Sequence, residues 1–258
     1  MDTQPGASIR SHWDGDRGDP VVFVGGPPSS ALLFRDVQAR LRPRRTVAVD
    51  LVGAPVVDRI EDLVDRLGGF CVEVDAAALV AHGWAVPLAA RLPRVAAPRL
   101  VLTNGPIRGL HPVPGGLSRL PRVLWRSLLL HPAVGPRWLA SSAALRRTVV
   151  NPYVMDRAAV EHLLGPLVRE TANRANTALW VTELTRLLPV GLPPGRGTAA
   201  IWGDRDRFHP IGDARALLQD RDEAPVVTIP GGRWFHPEER PWALADALIE
   251  LLEGPIAT

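Results

Sequence analysis

The side chains able to do chemistry in this chain stand at the ends of apolar runs. The stretch Val80-Ala81-His82-Gly83-Trp84-Ala85-Val86 joins an apolar run at 76–80 to a segment with helical spacing at 86–92. A sharp strand-to-helix turn can hold a nucleophile in an exposed, strained position. Here the apex is Gly83, which has no side chain to attack with. Asp206 closes Gly203-Asp204-Arg205-Asp206 after another apolar run. Two readings of it stand open. It is a turn residue capping its own loop, or a carboxylate lacking a histidine partner, with a raised pKa, serving as general acid or base. Ser29, Ser30 and Cys71 are the hydroxyls and thiol that could be paired with His82 or His236. His82 reads as a buried, hydrogen-bonded histidine. His209 and His236 read as loop residues; either could reach the pocket mouth, but each reads more readily as facing solvent or serving structure. Trp84 and Trp234 bring shape and stacking rather than acid–base chemistry.

These residues need elements to place them. The stretches 20–26, 45–55 (its strand ending at Asp50), 76–80, 98–106, 197–206 and 224–232 carry short, nearly continuous apolar runs, the pattern of strands buried on both faces. Helical spacing follows most of them, over about 29–43, 58–69, 86–92, 211–219 and 241–252. Alternation of this kind predicts a parallel, doubly wound α/β sheet. Between residues 109 and 194 the strands stop and helical patterns take over, ending in a Pro/Gly-rich return. The expected organisation is a flexible leader at 1–19, a core at 20–108 and 195–258, and a helical cap at 109–194. Trp125, Trp138 and Trp180 fall in the cap.

Composition narrows the function. The chain has 258 residues, 46% of them hydrophobic and 22% charged, enough for one large domain with a core. All 30 basic residues are arginine, which explains a pI of 10.2 at a formal net charge of only +3. The arginines are scattered among acids, so no nucleic-acid partner is expected. No apolar run is long enough for a membrane span, and the polar N-terminus lacks a signal-peptide core, so a cytoplasmic protein without a membrane partner is expected. The single cysteine excludes an intrachain disulfide, and Cys71 reads as packed. No residues have metal-ligand or dinucleotide-binding spacing, so no metal and no cofactor is expected.

Four stretches, in order, resemble the α/β-hydrolase superfamily, particularly its cap-bearing epoxide hydrolase, haloperoxidase and C–C hydrolase types. They are VVFVGGPPSSALLFRDVQARLRPRRTVAVDLVG, LVAHGWAVPLAARLP, IWGDRDRFHP and IPGGRWFHPEERPWALADALIELL. The resemblance implies that Gly83 stands at the nucleophile position and Trp234 at that of the general base. Asp206 matches the triad carboxylate. Gly26 and Pro27 match the oxyanion turn, where Pro27 has no N–H to donate. The backbone N–H of Trp84 could still point into the site. A triad so degraded argues against a covalent hydrolase.

The expectation is therefore a non-hydrolytic enzyme. Core and cap would hold an apolar or polyketide-like metabolite against Gly26, Pro27, His82, Gly83, Trp84, Trp125, Trp138, Trp180 and Trp234. Asp206 would assist an intramolecular cyclisation, isomerisation or elimination. A non-catalytic binding protein and a hydrolase with a relocated triad are the alternatives. The sequence leaves the oligomeric state open.

Overall fold

The computed structural model describes residues 9–27, 29–53, 55–109, 148–151, 153–154, 157–168, 170–221 and 224–254. Seven strands form one sheet: β1 (Arg10–Asp14), β2 (Arg17–Gly25), β3 (Arg44–Asp50), β4 (Ala78–His82), β5 (Arg99–Thr103), β6 (Gly197–Gly203) and β7 (Val226–Ile229). Their order is β1-β3-β2-β4-β5-β6-β7, and every pairing is parallel except β1 with β3. From β2 the chain passes first to β3 on one side and later to β4 on the other. That reversal makes a switch point, and open sheets of this type bind ligands beyond the carboxyl ends of the strands there.

The apolar runs become strands because both faces are covered. Val21–Val24, all of β4 and all of β6 are buried. The flanking helices are α1 (Arg35–Leu41), α2 (Ile60–Glu73), α3 (Val86–Ala89), α6 (Ile211–Leu218), α7 (His236–Glu239) and α8 (Pro241–Glu253), numbered in chain order. Helices α4 (Arg157–Val168) and α5 (Thr171–Glu183) lie within the expected cap. No described helix is long and apolar enough to cross a membrane. Helix α1 packs on α8, and α2 on both α3 and α5.

The loose leader expected at 1–19 is corrected over residues 10–19, which lie in the sheet or in the turn between two of its strands. Residues Arg10–Asp14 are an edge strand on β3, and β2 begins at Arg17. The reading missed them because β1, Arg-Ser-His-Trp-Asp, is polar and only half covered, as a sheet edge tolerates. Ser30 stands before the turn that opens α1, but the capping oxygen belongs to Asp50, whose Oδ1 accepts from the Ala31 amide at 2.7 Å. Cys71 is buried in α2, and burial pushes its thiol up to about 12.

Helix α5 is fastened to the core by Asn176, which is fully buried. Its Oδ1 accepts from Val57 N at 2.9 Å, and its Nδ2 lies 2.7–3.1 Å from the carbonyls of Val52, Gly53 and Pro55. The indole N–H of Trp180, one turn on, donates to the Trp84 carbonyl at 3.1 Å. Removing the Asn176 amide strands several buried polar groups at once. Asn176→Ala is expected to lower unfolding free energy by about 2–4 kcal/mol in urea titration. Hydrogen exchange is expected to quicken at Val57.

Candidate active site at the strand ends

Four strand ends converge. From β4, extended His82 leads into Gly83 at φ +60, then a tight turn over Gly83–Ala85 and α3, with Pro87 in its first turn. A left-handed apex suits glycine. Gly26, after β2, lies against this elbow: a Cβ there would sit 2.5 Å from Ala85 N. A Cβ on Gly105, after β5, would run into the Gly83 carbonyl. Pro27 is buried beside Gly26.

The fourth contribution is the loop after β7, which brings Trp234 over the elbow. Its indole Nε1 is 3.1 Å from where a Cβ on Gly83 would be. The loop is held on several sides. Asp204 Oδ1 accepts from Gly231 N, Arg35 pairs with Glu238, Phe235 N donates to Thr148 O, and Arg233 donates to Val149 O. Trp84 is half-buried and stacks on Trp234, with centroids 6.3 Å apart and planes at 29°. Phe208 and Phe235 complete the aromatic cluster around Trp234.

Asp206 is not an unpaired acid. Its Oδ2 accepts from Asn104 Nδ2 at 2.7 Å and from His209 Nδ1 at 3.0 Å, and its Oδ1 accepts from Phe208 N at 2.8 Å. Burial alone would push the carboxyl up, yet the hydrogen bond and charge of His209, then Asn104 and the Phe208 amide, hold it below the ordinary carboxylate value. The raised pKa that one of the two readings gave Asp206 is therefore corrected to a lowered one, and the Phe208 amide bond is the loop cap of the other. Since the carboxylate can only accept, Nδ1 of His209 carries the proton. In the base form of the ring the lone pair is then on Nε2. His209, expected as a solvent-facing loop residue or a structural one, is buried, and its ring meets Trp234 edge-on at 5.0 Å. The hydrogen bond that the resemblance expects from residue 234 comes from residue 209.

His236 is fully buried, in keeping with the structural rather than the solvent-facing expectation. Its Nδ1 lies 3.2 Å from the Arg233 carbonyl, and its ring meets His82 edge-on at 5.6 Å. Burial lowers its pKa to about 4, against smaller raising effects from the Arg233 carbonyl and Asp206. His82 bonds Thr103 Oγ1 through Nδ1 at 2.7 Å. Burial, then His236 and His209, holds it well below the usual histidine value.

Among the described residues none of the candidate nucleophiles is hydrogen-bonded to His82 or His236. Ser29 Oγ donates to the Gly26 carbonyl, and Ser30 Oγ is buried without a partner among the described residues. The Cys71 thiol is held protonated in α2. No group of three or more His, Cys, Asp or Glu among the described residues could hold a metal. Trp180 is buried and reaches the site only through the Trp84 carbonyl. Trp125 and Trp138 lie outside the described residues. The pairing of His209 with Asp206, and Asn104 altogether, escaped the sequence reading. His209 was visible three residues after Asp206, and Asn104 ended an apolar run in Thr103-Asn104-Gly105.

No protein-family model and no curated protein matches the chain. Solved structures do. A thermophilic esterase from Thermogutta terrifontis, malate bound, superposes with a TM-score of 0.71 at 19% identity, covering 95% of this chain and 92% of its own. An alpha/beta hydrolase fold protein from Burkholderia ambifaria gives 0.66 at 18%, covering 94% and 93%. The haloalkane dehalogenase DbeA from Bradyrhizobium elkani USDA94 gives 0.64 at 20%, covering 95% and 98%. The chain has the α/β-hydrolase fold, as the four sequence stretches implied.

Two outcomes test this site. A histidine whose folded pKa is lowered costs stability as pH falls from its unfolded value, here 6.5, to its folded value, about 4. His236 alone is expected to remove about 3 kcal/mol of unfolding free energy across that window, with no further loss from it below. His236→Phe is expected to flatten the slope in urea titrations between pH 7 and 4. Second, the Gly83→Ser/Trp234→His double variant is expected to hydrolyse 4-nitrophenyl acetate barely above background. Pro27 still leaves the oxyanion turn a donor short, and His209 already holds Asp206.

Proposed function

We propose that this chain is a non-hydrolytic enzyme of the α/β-hydrolase fold, acting on an apolar metabolite at the carboxyl ends of its strands. The reaction is an intramolecular isomerisation, cyclisation or elimination driven by proton transfer. His209 takes and returns the proton. Asp206 orients the ring and stabilises its charged form. The aromatic wall of Trp84, Trp234 and Phe208 shapes the substrate and excludes water.

One observation carries this reading. The turn that would present a nucleophile holds Gly83 beneath the indole of Trp234, while a buried Asp–His pair is kept one ring away. Acid–base help of this kind contributes roughly 10²–10⁴-fold, and alignment of a flexible substrate adds to it. No acyl or alkyl intermediate is required. A second reading, a binding protein without chemistry, is favoured by the same indole, since it fills space beside the pair.

The test is a metabolite comparison in the source organism. The gene is deleted, then complemented by the wild type, Asp206→Asn or His209→Gln. A precursor that accumulates in the deletion, disappears with the wild type and persists with either variant is the expected result. Variants that restore the profile fully would transfer the role to binding. A fluorophosphonate probe is expected to leave the wild-type protein unlabelled.

A further inference from the structure

We propose that the indole N–H of Trp234 is the oxyanion donor of this site, and that the substrate presents a carbonyl oxygen to it. This inference rests on the acid–base reading above and names the chemical class that the site takes.

The argument starts from the position of one atom. Trp234 Nε1 lies 3.1 Å from the place of a Cβ on Gly83. That point is the focus of the elbow, where a nucleophile's side chain would begin. Gly83 offers the indole no acceptor, and none of the described residues accepts from it. Trp234 is 7% exposed, and its Nε1 keeps solvent access, so the donor is open to a ligand oxygen. Among the described residues the arginines that stack on tryptophan do so at Trp13 and Trp242, not at Trp234, so the group that suits this indole is an oxygen whose charge develops during reaction rather than a permanent anion.

The proton-accepting group stands beside it. The His209 ring is 5.0 Å from the Trp234 ring, centroid to centroid, and edge-on. Its Nδ1–H is committed to Asp206, which leaves Nε2 as the base. A carbonyl compound held by the indole would place its α-carbon toward this imidazole. The Cα–H bond breaks and an N–H bond forms at Nε2. The electron pair of the Cα–H bond becomes the second bond between Cα and the carbonyl carbon. The carbonyl π pair moves onto oxygen, where the Trp234 N–H meets it. Return of the proton to the same or another carbon completes an isomerisation; alternatively the enolate carbon attacks a second carbonyl of the same molecule, closing a ring as that carbonyl's π pair moves onto its oxygen, which takes the proton back from Nε2. Protons and electrons balance without an added oxidant or reductant.

The test uses two measurements on the intact protein. The first is binding of 4-nitrophenolate, a planar oxyanion, with uncharged nitrobenzene as control. Indole ¹H–¹⁵N resonances are followed, and Trp234 is identified by the peak missing in Trp234→Phe. Expected are a downfield shift of the Trp234 N–H on adding phenolate, none with nitrobenzene, and at least tenfold weaker phenolate binding in Trp234→Phe. Absence of phenolate binding, an unmoved Trp234 resonance, or equal binding by the variant would overturn the donor role. The wild-type resonance decides the matter even if the variant folds poorly. The second measurement is deuterium uptake at the α-carbon of 2-tetralone. Loss of uptake in His209→Gln scores the acid–base reading separately. Uptake that needs His209 but not Trp234 sinks this inference and leaves that reading standing.

Discussion

The site depends on backbone running against backbone at places where a Cβ would not fit. Gly26, Gly83 and Gly105 let three strand ends close on one turn, and Gly203 and Gly232 let the β6 and β7 loops touch. A side chain at Gly26 or Gly105 would push the elbow out of line by more than a hydrogen bond tolerates. The left-handed apex at Gly83 is part of the same constraint. In an α/β-hydrolase fold that geometry serves to display a side chain. Here it displays a gap, and the Trp234 indole leans into it.

Around that gap the polar groups divide into two sets. Asp206 gathers three donors and stays ionised in spite of burial, because a carboxylate with several hydrogen bonds is favoured over its acid. Its order passes to His209, and from His209 to the face of Trp234. His82 and His236 form the other set, two buried imidazoles held uncharged. Their neutrality keeps positive charge away from the elbow. The charged histidine that a proton transfer would create at 209 then has one nearby counter-charge, Asp206.

Much of the fold was legible because strands covered on both faces must be apolar throughout. Residues 20–26 and 197–203 could hardly be anything else. The edge escaped for the opposite reason. In β1, Arg10, Ser11, His12 and Asp14 need no cover, so the strand reads like a polar tail. The glycine apex and Asp206 were legible from their places after strands. His209 was not, since its role comes from a hydrogen bond three residues back rather than from the position where the fold's base is expected. The direction of the Asp206 shift was hidden too. It depends first on His209 and then on Asn104, 102 residues away in sequence and brought alongside by the β5–β6 pairing.

Asn176 gives the molecule a unit of exchange that its chain order does not suggest. One amide on α5 answers the backbone of residues 52–57, and Trp180 on the same helix answers the elbow carbonyl. This helix belongs, in the order of the chain, to the insertion. In bonding it belongs to the core. Recombining insertions among relatives of this fold would therefore fail at a cut placed where the strands resume near residue 197. A workable boundary leaves Thr171–Glu183 with its own β3 loop and its own elbow, and swaps only what comes before.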